Sequence, residues 1–343
     1  MSRTVSSSVI LLIAMTGAPA MPDTRADEQP VAIVFDTDVG NDIDDALALA
    51  MLHAYCDRGT VKLLAVTLSK DNPWAAAFVD AVNTFYGRPD VPIGVVSGGK
   101  TPEEGKYLRP VASRMRDGRL VYPHDLKSGS EAPEAVDLQR RILATQPDGS
   151  VVFVVVGFST NLARLLESPP DAFSPLSGRE LVRRKVRLLS IMAGNYANPT
   201  KKEYNVYIDE PAARTVFDHW PTEVVASGYE IGDRVRYPAS SIENDFDYVT
   251  DHPVAEAYRL YNRMPYDRPC WDLTSVLVAV EPDGEYFGRS DKGAIRVEDG
   301  GFTSFKRKEN GRHRYLTVTS EQIEKTRRRL VELVSSPPGT AAK

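Results

Sequence analysis

Short runs of apolar, mostly β-branched residues alternate along the chain with segments whose apolar residues recur at helical spacing. The runs expected to form strands are Val31–Phe35, Leu63–Leu68, Val91–Val96, Val151–Val156, Val186–Met192 and Glu223–Ala226. The helical segments are Asp45–Tyr55, Ala75–Phe85, Glu134–Ala144, Asn161–Glu167 and Pro211–His219. Continuous apolar strands suit a parallel sheet that is covered on both faces, and strand–helix alternation is typical of doubly wound sheets. The pattern therefore predicts an α/β fold with a single large, doubly wound, mostly parallel sheet.

The rest of the chain is expected to belong to the same domain, which we place at residues 31–336. The segment Tyr237–Asp272 lacks strong strand patterns and has apolar residues at helical spacing, which predicts a helical insertion near the functional site. Residues Gly293–Thr319 predict a late β-hairpin, and Glu321–Val334 predicts a closing amphipathic helix. Residues 337–343 are expected to be a disordered tail.

The N-terminus has the pattern of an export signal. Arg3 precedes an apolar run at residues 9–15 that is too short to span a bilayer, and small residues follow at 18–20. This pattern predicts a signal peptide at residues 1–20 that is cleaved after Ala20, followed by a polar linker at 21–30. The mature protein is then expected to be periplasmic or secreted and free of the membrane.

Charge and cysteine content exclude two classes of protein. The chain has 42 Lys and Arg against 47 Asp and Glu, a net charge of −5, which is opposite in sign to that of a basic nucleic-acid binder. Two cysteines, Cys56 and Cys270, are too few for a disulfide framework. A single bridge between them and a pair of buried thiols both remain open.

A dense acidic loop follows the first expected strand. Five carboxylates fall within ten residues, at Asp36, Asp38, Asp42, Asp44 and Asp45. Close like charges raise each other's pKa, and a helix N-terminus compensates only one or two of them. A hard cation such as Ca²⁺ or Mg²⁺ suits an all-oxygen set, although the loop lacks the terminal Glu of an EF-hand. Ligands of such sheets bind beyond the carboxyl ends of the strands, where this loop lies.

Two other interpretations of the loop remain open on the residues alone. A solvated helix cap would need only one such side chain. An Asp-based phosphatase would use Asp36 as its nucleophile and Asp38 as the acid partner.

The loop resembles the N-terminal signature of the inosine–uridine-preferring nucleoside hydrolase family, which reads Asp-x-Asp-x-Gly-x-Asp-Asp before a helix of small apolar residues. Asp36, Asp38, Gly40 and the pair Asp44-Asp45 match, but two extra residues after Gly40 bring in the additional acid Asp42. Further segments resemble the family in the same order, and they are Gly87–Ile93, Gly157–Asn161, Met192–Asn195, Glu203–Asn205, Asp209–Ala213 and Trp271-Asp272.

The resemblance implies a Ca²⁺-dependent hydrolase that cleaves the N-glycosidic bond of ribonucleosides to give base plus ribose. It implies that Asp38, Asp45, Asp272 and the main-chain carbonyl of Thr160 hold the ion, and that Asp38 is the catalytic general base. The family's habit further implies a homodimer or homotetramer.

The resemblance also implies which residues bind the substrate. They are Asp44, Glu203 and Asn205, with Asn198 as a further candidate, Asp42 as an alternative to Asp44, and Asn72 or Asp71 at the ribose contact after the second strand.

One departure from the family pattern bears on the leaving base. Many members carry a His before the last metal-binding Asp, where it protonates the base, but this chain has Trp271. The purine-preferring branch resembles this arrangement, which implies that Trp271 stacks on the base and that the substrates are purine-leaning. A plain core tryptophan remains open. With no His acid, Asp71 is our hypothesis for the proton donor. The missing His and the longer loop leave open a divergent or non-catalytic nucleoside- or sugar-binding protein that retains the metal loop.

Overall fold

The computed structural model describes residues 29–339. The strands are β1 Val31–Thr37, β2 Val61–Lys70, β3 Ile93–Lys100, β4 Met115–Arg116, β5 Arg119–Leu120, β6 Val151–Val155, β7 Val186–Met192, β8 Glu223–Ser227, β9 Arg236–Tyr237, β10 Arg268–Pro269, β11 Gly288–Arg289, β12 Gly293–Glu298, β13 Phe302–Arg307 and β14 His313–Thr317. The helices are α1 Asp44–Asp57, α2 Ala75–Phe85, α3 Leu108–Ala112, α4 Ala135–Thr145, α5 Thr160–Glu167, α6 Gly178–Lys185, α7 Tyr204–Ile208, α8 Glu210–His219, α9 Tyr229–Arg234, α10 Ala239–Asn244, α11 Pro253–Tyr261, α12 Trp271–Val280 and α13 Ser320–Val334, with a 3₁₀ turn at Gly129–Glu131.

A ten-stranded sheet forms the centre of the described chain, in the order β13-β12-β14-β8-β7-β6-β1-β2-β3, with β11 on β14. All neighbours from β14 through β8, β7, β6, β1 and β2 to β3 are parallel, whereas the pairs made by β11, β12 and β13 are antiparallel. The predicted α/β class and mostly parallel sheet are confirmed. All six predicted strands and five predicted helices occur, with ends that differ by a few residues.

Alternate residues of the central strands point to two different helical layers. Ile33 and Phe35 belong to one apolar core, which α1, α2, α11, α12 and α13 cover, whereas Val34 belongs to a second core covered by α5, α6 and α8. Successive side chains of a strand face opposite sides of the sheet, so continuous apolar runs are needed where both sides are covered. This explains why the strand runs in the sequence are apolar at nearly every position.

The segments outside the regular alternation are more elaborate than predicted. The predicted insertion Tyr237–Asp272 contains α10 and α11, as expected, and begins and ends in a short ribbon of β9 and β10. The late hairpin of β12 and β13 does form, but β14 also joins it to the main sheet by pairing parallel with β8. The hairpin therefore extends the central sheet.

The two ends of the chain lie largely outside the described residues. The predicted signal peptide at residues 1–20 and most of the linker are outside them, and so are residues 340–343. The N–H of Gly339 donates to the carboxylate of Asp57 at 2.7 Å. Within the described range, no helix combines the length and apolar character needed to cross a membrane. Cys56 and Cys270 are both free thiols.

Candidate active site

A cavity of about 310 Å³ opens at the carboxyl ends of the central strands. Its wall brings together residues from the loop after β1, the end of β6, the segment between β7 and α7, and the starts of α9 and α12. They are Asp38, Asn41, Asp42, Val156, Met192, Lys202, Glu203, Tyr204, Asn205, Tyr207, Tyr229, Trp271 and Asp272. Six predicted site residues are among them: Asp38, Asp42, Glu203, Asn205, Trp271 and Asp272.

The acidic loop has a fixed path because α3 packs against it. Gly40 has a φ of 111°, and a Cβ at this position would clash with the side chain of Leu108. The Gly40 N–H donates to the hydroxyl of Tyr107 at 2.9 Å, and this hydroxyl donates to the carbonyl of Asp42. Glycine is thus required at a turn where two elements approach closely.

Asp38 lies in the cavity wall and is held by a short polar chain. The Asn41 Nδ2 donates to Asp38 Oδ2 at 2.6 Å, while Asn41 Oδ1 accepts from Lys70 Nζ at 2.8 Å. Lys70 also donates to the carbonyl of Thr101 at 2.6 Å. Burial raises the pKa of Asp38 to about 6, against the opposing effect of Asn41 and Lys70. Asp38 is therefore a carboxylate that is ionised at neutral pH but more basic than an exposed Asp.

Asp42 and Asp44 have different surroundings, which the sequence does not distinguish. Asp44 is fully buried and accepts from Arg268 at 2.6 and 2.9 Å and from the backbone N–H groups of Trp271 and Asp272. Burial would raise the pKa of Asp44, but the charge of Arg268 and these hydrogen bonds lower it overall. Asp42 contacts Arg268 at 2.5 Å, and its side chain is 36% exposed, toward the cavity.

The five acids at Asp38, Asp42, Asp44, Asp45 and Asp272 form one electrostatic cluster. Carboxylate oxygens of Asp42, Asp44 and Asp272 lie within 4.8 Å of one another. Desolvation and the neighbouring acids raise the pKa of Asp42, Asp45 and Asp272 well above the usual Asp value. A bound cation would lower these raised pKa values again. A cluster of oxygen donors of this kind therefore fits a hard divalent ion.

Two predicted metal ligands are not in the cavity wall. Asp45 lies behind it, buried, and accepts from the hydroxyl of Thr37. Thr160 begins α5, donates its hydroxyl to Asp209 and lines a separate depression. Thr160 is therefore not part of the cavity wall, and its predicted role, which belongs to its main-chain carbonyl, stays a prediction. Val156, at the end of β6, lines the cavity, and its carbonyl accepts from Asn205 Nδ2 at 2.7 Å.

The phosphatase interpretation, with Asp36 as nucleophile, is contradicted by the position of Asp36. Its side chain is fully buried behind the cavity and accepts from Thr67 at 2.5 Å, Asn161 at 2.8 Å and Gln139 at 3.2 Å. Burial raises the pKa of Asp36 to about 7. A group enclosed in this way supports the loop and cannot attack a substrate in the cavity.

The segment after β7 supplies a second wall. Glu203 accepts from the backbone N–H groups of Gly194, Asn205 and Val206 at 2.8–3.1 Å, which caps α7. Burial raises the pKa of Glu203 to about 7 despite these bonds. Asn198 is exposed and its side-chain oxygen accepts from Thr200, so this predicted contact is absent from the cavity.

The predicted ribose contact after β2 is also displaced. The side-chain nitrogen of Asn72 donates to the carbonyls of Pro102 and Glu103, and its side-chain oxygen accepts from the N–H of Trp74. Both ends of this amide are therefore already hydrogen-bonded. Asp71 accepts from the N–H of Gly99 at 3.0 Å. Both residues line a neighbouring cavity instead, which also excludes Asp71 as the proton donor in this conformation.

Trp271 forms part of the aromatic wall. Its indole N–H donates to the carbonyl of Tyr229 at 2.8 Å, and the two ring centroids are 5.4 Å apart. The guanidinium carbon of Arg268 lies 5.0 Å from the Trp271 ring centroid. Among the described residues no histidine lines the cavity.

Sequence reasoning missed several residues of the site. Asn41, Lys202, Tyr204, Tyr207 and Tyr229 line the cavity, and Arg268 and Lys70 hold its acids. The signal available for Lys70 was its place just after the second predicted strand, at the edge of the sheet where ligands bind. No comparable signal marks Arg268, because its partners are more than 220 residues away in the chain.

Comparisons with known proteins agree with this arrangement. The sequence profile described as inosine-uridine preferring nucleoside hydrolase matches residues 33–330. The structure is similar to a plant nucleoside hydrolase (TM-score 0.63, 20% identity, 91% of this chain and 99% of that chain covered) and to a purine-preferring ribonucleoside hydrolase from Gardnerella vaginalis (0.68, 17%, 90% and 100%). It is also similar to an inosine-uridine preferring nucleoside hydrolase from Bacillus anthracis (0.63, 16%, 88% and 99%). A comparison with curated protein sequences gave no match. With its α/β sheet, its acidic cavity and a profile match over most of its length, the chain belongs to the inosine-uridine preferring nucleoside hydrolase family and is an N-glycosyl hydrolase.

Proposed function

We propose that this hydrolase is Ca²⁺-dependent, cleaves purine ribonucleosides in preference to pyrimidine ribonucleosides, and releases free base and ribose. The observation that carries the proposal is the position of Asp38. It lies in a cavity wall with Asp42 and Asp272, and one of its oxygens is fixed by Asn41. Because Asn41 holds Asp38 Oδ2, this carboxylate has a fixed orientation from which it can accept a proton from water in the cavity.

The sugar is placed against the carboxylate wall. N-glycosidic cleavage develops positive charge on the ribose ring, which nearby carboxylates stabilise, as they do in glycosidases. Asp42 is the acid proposed to bind a ribose hydroxyl, because its side chain faces the cavity while both oxygens of Asp44 are engaged. Glu203 and Asn205 complete the sugar site from the opposite wall.

The proposed ion would be held at the acidic cluster, where carboxylate oxygens of Asp42, Asp44 and Asp272 lie within 4.8 Å of one another. Asp38, Asp45 and the main-chain carbonyl of Thr160 are the further ligands that the family resemblance implies. When bound, a divalent cation would polarise a water molecule and hold vicinal ribose hydroxyls. Asp38 then takes a proton from the attacking water, and Asn41 keeps its carboxylate in position for that transfer.

The proposed purine preference rests on the aromatic wall. Trp271 and Tyr229 both line the cavity, and together they offer a planar base a larger stacking surface than one ring would. Stacking on an aromatic side chain contributes about 1–3 kcal/mol per base and increases with the size of the base.

The test is the release of reducing sugar from inosine, adenosine, guanosine and uridine. We expect release from the purine nucleosides to exceed that from uridine, to stop with EDTA and to return with added Ca²⁺. Asp38→Asn removes the proposed base and should lower kcat by at least about 100-fold, whereas Asp247→Asn, at an exposed and distant acid, should leave kcat unchanged.

Each part of the proposal has its own contrary result. Full activity after exhaustive chelation would reject the metal, and a faster reaction with uridine would reject the purine preference. Turnover by Asp38→Asn would reject the base. Measurable nucleoside binding with no release from any of the four would favour a divergent binding protein.

Two further properties are proposed on sequence grounds alone. The pattern at residues 1–20 supports export to the periplasm or the medium. Membership of the family supports assembly as a homodimer or homotetramer.

A further inference from the structure

Nucleoside hydrolysis needs a group that helps the base to leave. As the bond from C1′ to the base nitrogen breaks, its electron pair goes to the base, and a positioned acid that donates a proton makes this step easier. Histidine cannot fill this role here, because none of the described histidines lines the cavity. His53 and His252 are buried, and burial lowers the pKa of each to about 3.

The two cationic side chains that hold the acids of the cavity, Arg268 and Lys70, are already committed. The guanidinium of Arg268 is paired with Asp42 and Asp44. Lys70 is buried below the cavity and donates to Asn41 and Thr101. Asp71 lines another cavity. Lys202 is the one lysine or arginine in the cavity wall of the described chain.

Two aromatic rings orient the ammonium group of Lys202. Its Nζ lies 4.4 Å from the ring centroid of Tyr207 and 5.1 Å from that of Phe302. Phe302 begins β13, so the turn of the late hairpin reaches the mouth of the cavity at this point. Within residues 29–339, Lys202 makes no ion pair, and the aromatic faces therefore orient an ammonium whose charge and protons remain available.

The position of Lys202 relative to Asp38 fits the two proton transfers. Asp38 follows β1, whereas Lys202 follows β7, and β6 lies between these strands. Both side chains line the same cavity, and they belong to two different segments of its wall, the loop after β1 and the segment between β7 and α7. Water and leaving base occupy opposite faces of the sugar, so the acid and base belong on opposite walls.

We propose that Lys202 is the catalytic acid that protonates the leaving base, a role that rests on the proposed nucleoside hydrolysis. Water forms a bond to C1′ and gives its proton to Asp38, while the C1′–N bond breaks and the base nitrogen takes a proton from Lys202 Nζ. Asp38 then loses its proton to solvent and Lys202 regains one. The balance is nucleoside plus water to base plus ribose, with no other reactant.

The test compares two leaving groups in Lys202→Met. Inosine needs protonation of its base, whereas p-nitrophenyl β-D-ribofuranoside releases a phenolate that is stable without it. We expect Lys202→Met to lower kcat/KM for inosine by about 100-fold or more and to change that for the p-nitrophenyl riboside by less than about 3-fold. Lys202→Arg should lower kcat/KM for inosine as much as Lys202→Met does, because a guanidinium is a poor proton donor. The matched control Lys62→Met, at an exposed site at the start of β2, should leave both substrates unaffected.

Three outcomes would overturn this assignment. An equal loss on both substrates would mean that Lys202 only maintains the cavity, and no loss on inosine would mean that another group protonates the base. A rise in KM that is confined to 5′-phosphorylated nucleosides would mean that Lys202 binds anions. Failure of the wild-type protein to cleave either substrate would instead reject the proposed nucleoside hydrolysis and, with it, the acid.

Discussion

At the scale of single residues, the sequence predicts best where a side chain ends a central strand or begins the helix after it. Asp38 and Asp42 follow β1, and Asp272 begins α12, and all three reach the cavity. Asn72, expected at the ribose contact, lies outside the cavity wall for a physical reason. Its side chain donates to the loop at Pro102, and such a partner cannot be read from a motif.

The two neighbouring acids Asp42 and Asp44 provide a prediction at this scale. Asp42→Asn should lower kcat/KM by about 10-fold or more, the value of one charged hydrogen bond to substrate, with little change in stability. Asp44→Asn leaves the buried guanidinium of Arg268 without its main counter-charge and should lower the free energy of unfolding by about 3–5 kcal/mol. Urea denaturation and steady-state kinetics measure the two effects.

The pair serves as its own control, because both substitutions remove one carboxylate within the same loop. A stable Asp44→Asn enzyme that binds nucleoside poorly, beside a fully active Asp42→Asn enzyme, would reverse the proposed roles. The ribose contact would then be made by Asp44, as the family resemblance implies.

At the scale of elements, the sequence predicts buried strands better than short or exposed elements. β1, β2, β6, β7 and β8 are buried over most of their length, so their apolar runs are nearly continuous and each is predicted. The edge strand β3 is predicted from its first half, which is largely buried. α3, the ribbon of β4 and β5, and α7 were not predicted, since two- to five-residue elements offer no period to detect. β14 was missed because its five residues, His-Arg-Tyr-Leu-Thr, show no apolar alternation, and it is recognised as a strand through its pairing with β8, β11 and β12.

The junction of α3 with the acidic loop gives a prediction about an element. Gly40→Ala would place a Cβ against Leu108 at a positive φ, which costs about 1–3 kcal/mol. Because the same turn carries Asp38 and Asp42, we expect kcat/KM to fall as well. Thermal unfolding and inosine hydrolysis would measure both.

Gly59→Ala is the matched control for that change. Gly59 also has a positive φ, of 70°, but a Cβ there would meet nothing within 4 Å, and it lies at the far end of α1. Gly59→Ala should lower the melting temperature slightly and leave kcat/KM unchanged. Equal kinetic losses in the two variants would mean that the contact with α3 does not position the acidic loop.

At the scale of the whole molecule, the distribution of charge matters more than the net charge of −5. Asp38, Asp42, Asp44, Asp45 and Asp272 are gathered at one end of a sheet whose interior is apolar. In the part of the chain that the structure describes, Arg268 is the cation that forms ion pairs with them, and its partners are Asp42 and Asp44. The remaining acids favour any state in which they are protonated or bound to a cation, so ligand binding at this end is coupled to folding.

A divalent cation should therefore stabilise the whole chain, and more so at higher pH. At 100 times its dissociation constant, a bound ion adds about 2.7 kcal/mol to the free energy of unfolding, which corresponds to a rise in Tm of roughly 5 °C. Desolvation raises the folded pKa of Asp38 to about 6 and that of Asp45 and Asp272 well above the usual Asp value, so that protons compete with the ion as the pH falls. We expect the Ca²⁺-induced rise in Tm to be larger at pH 8 than at pH 5.5.

The difference between the Tm with Ca²⁺ and the Tm without it separates the effect of the ion from the effect of other titrating groups. Burial lowers the pKa of His53 and His252 to about 3 and that of His313 to about 4. A lowered histidine pKa means that the folded state prefers the neutral ring, so stability is lost as the pH falls below about 6.5. Because that loss occurs with and without the ion, it cancels in the difference. A Ca²⁺-induced rise that is greater at pH 5.5, or that survives in full in Asp272→Asn, would place the ion away from this acidic cluster.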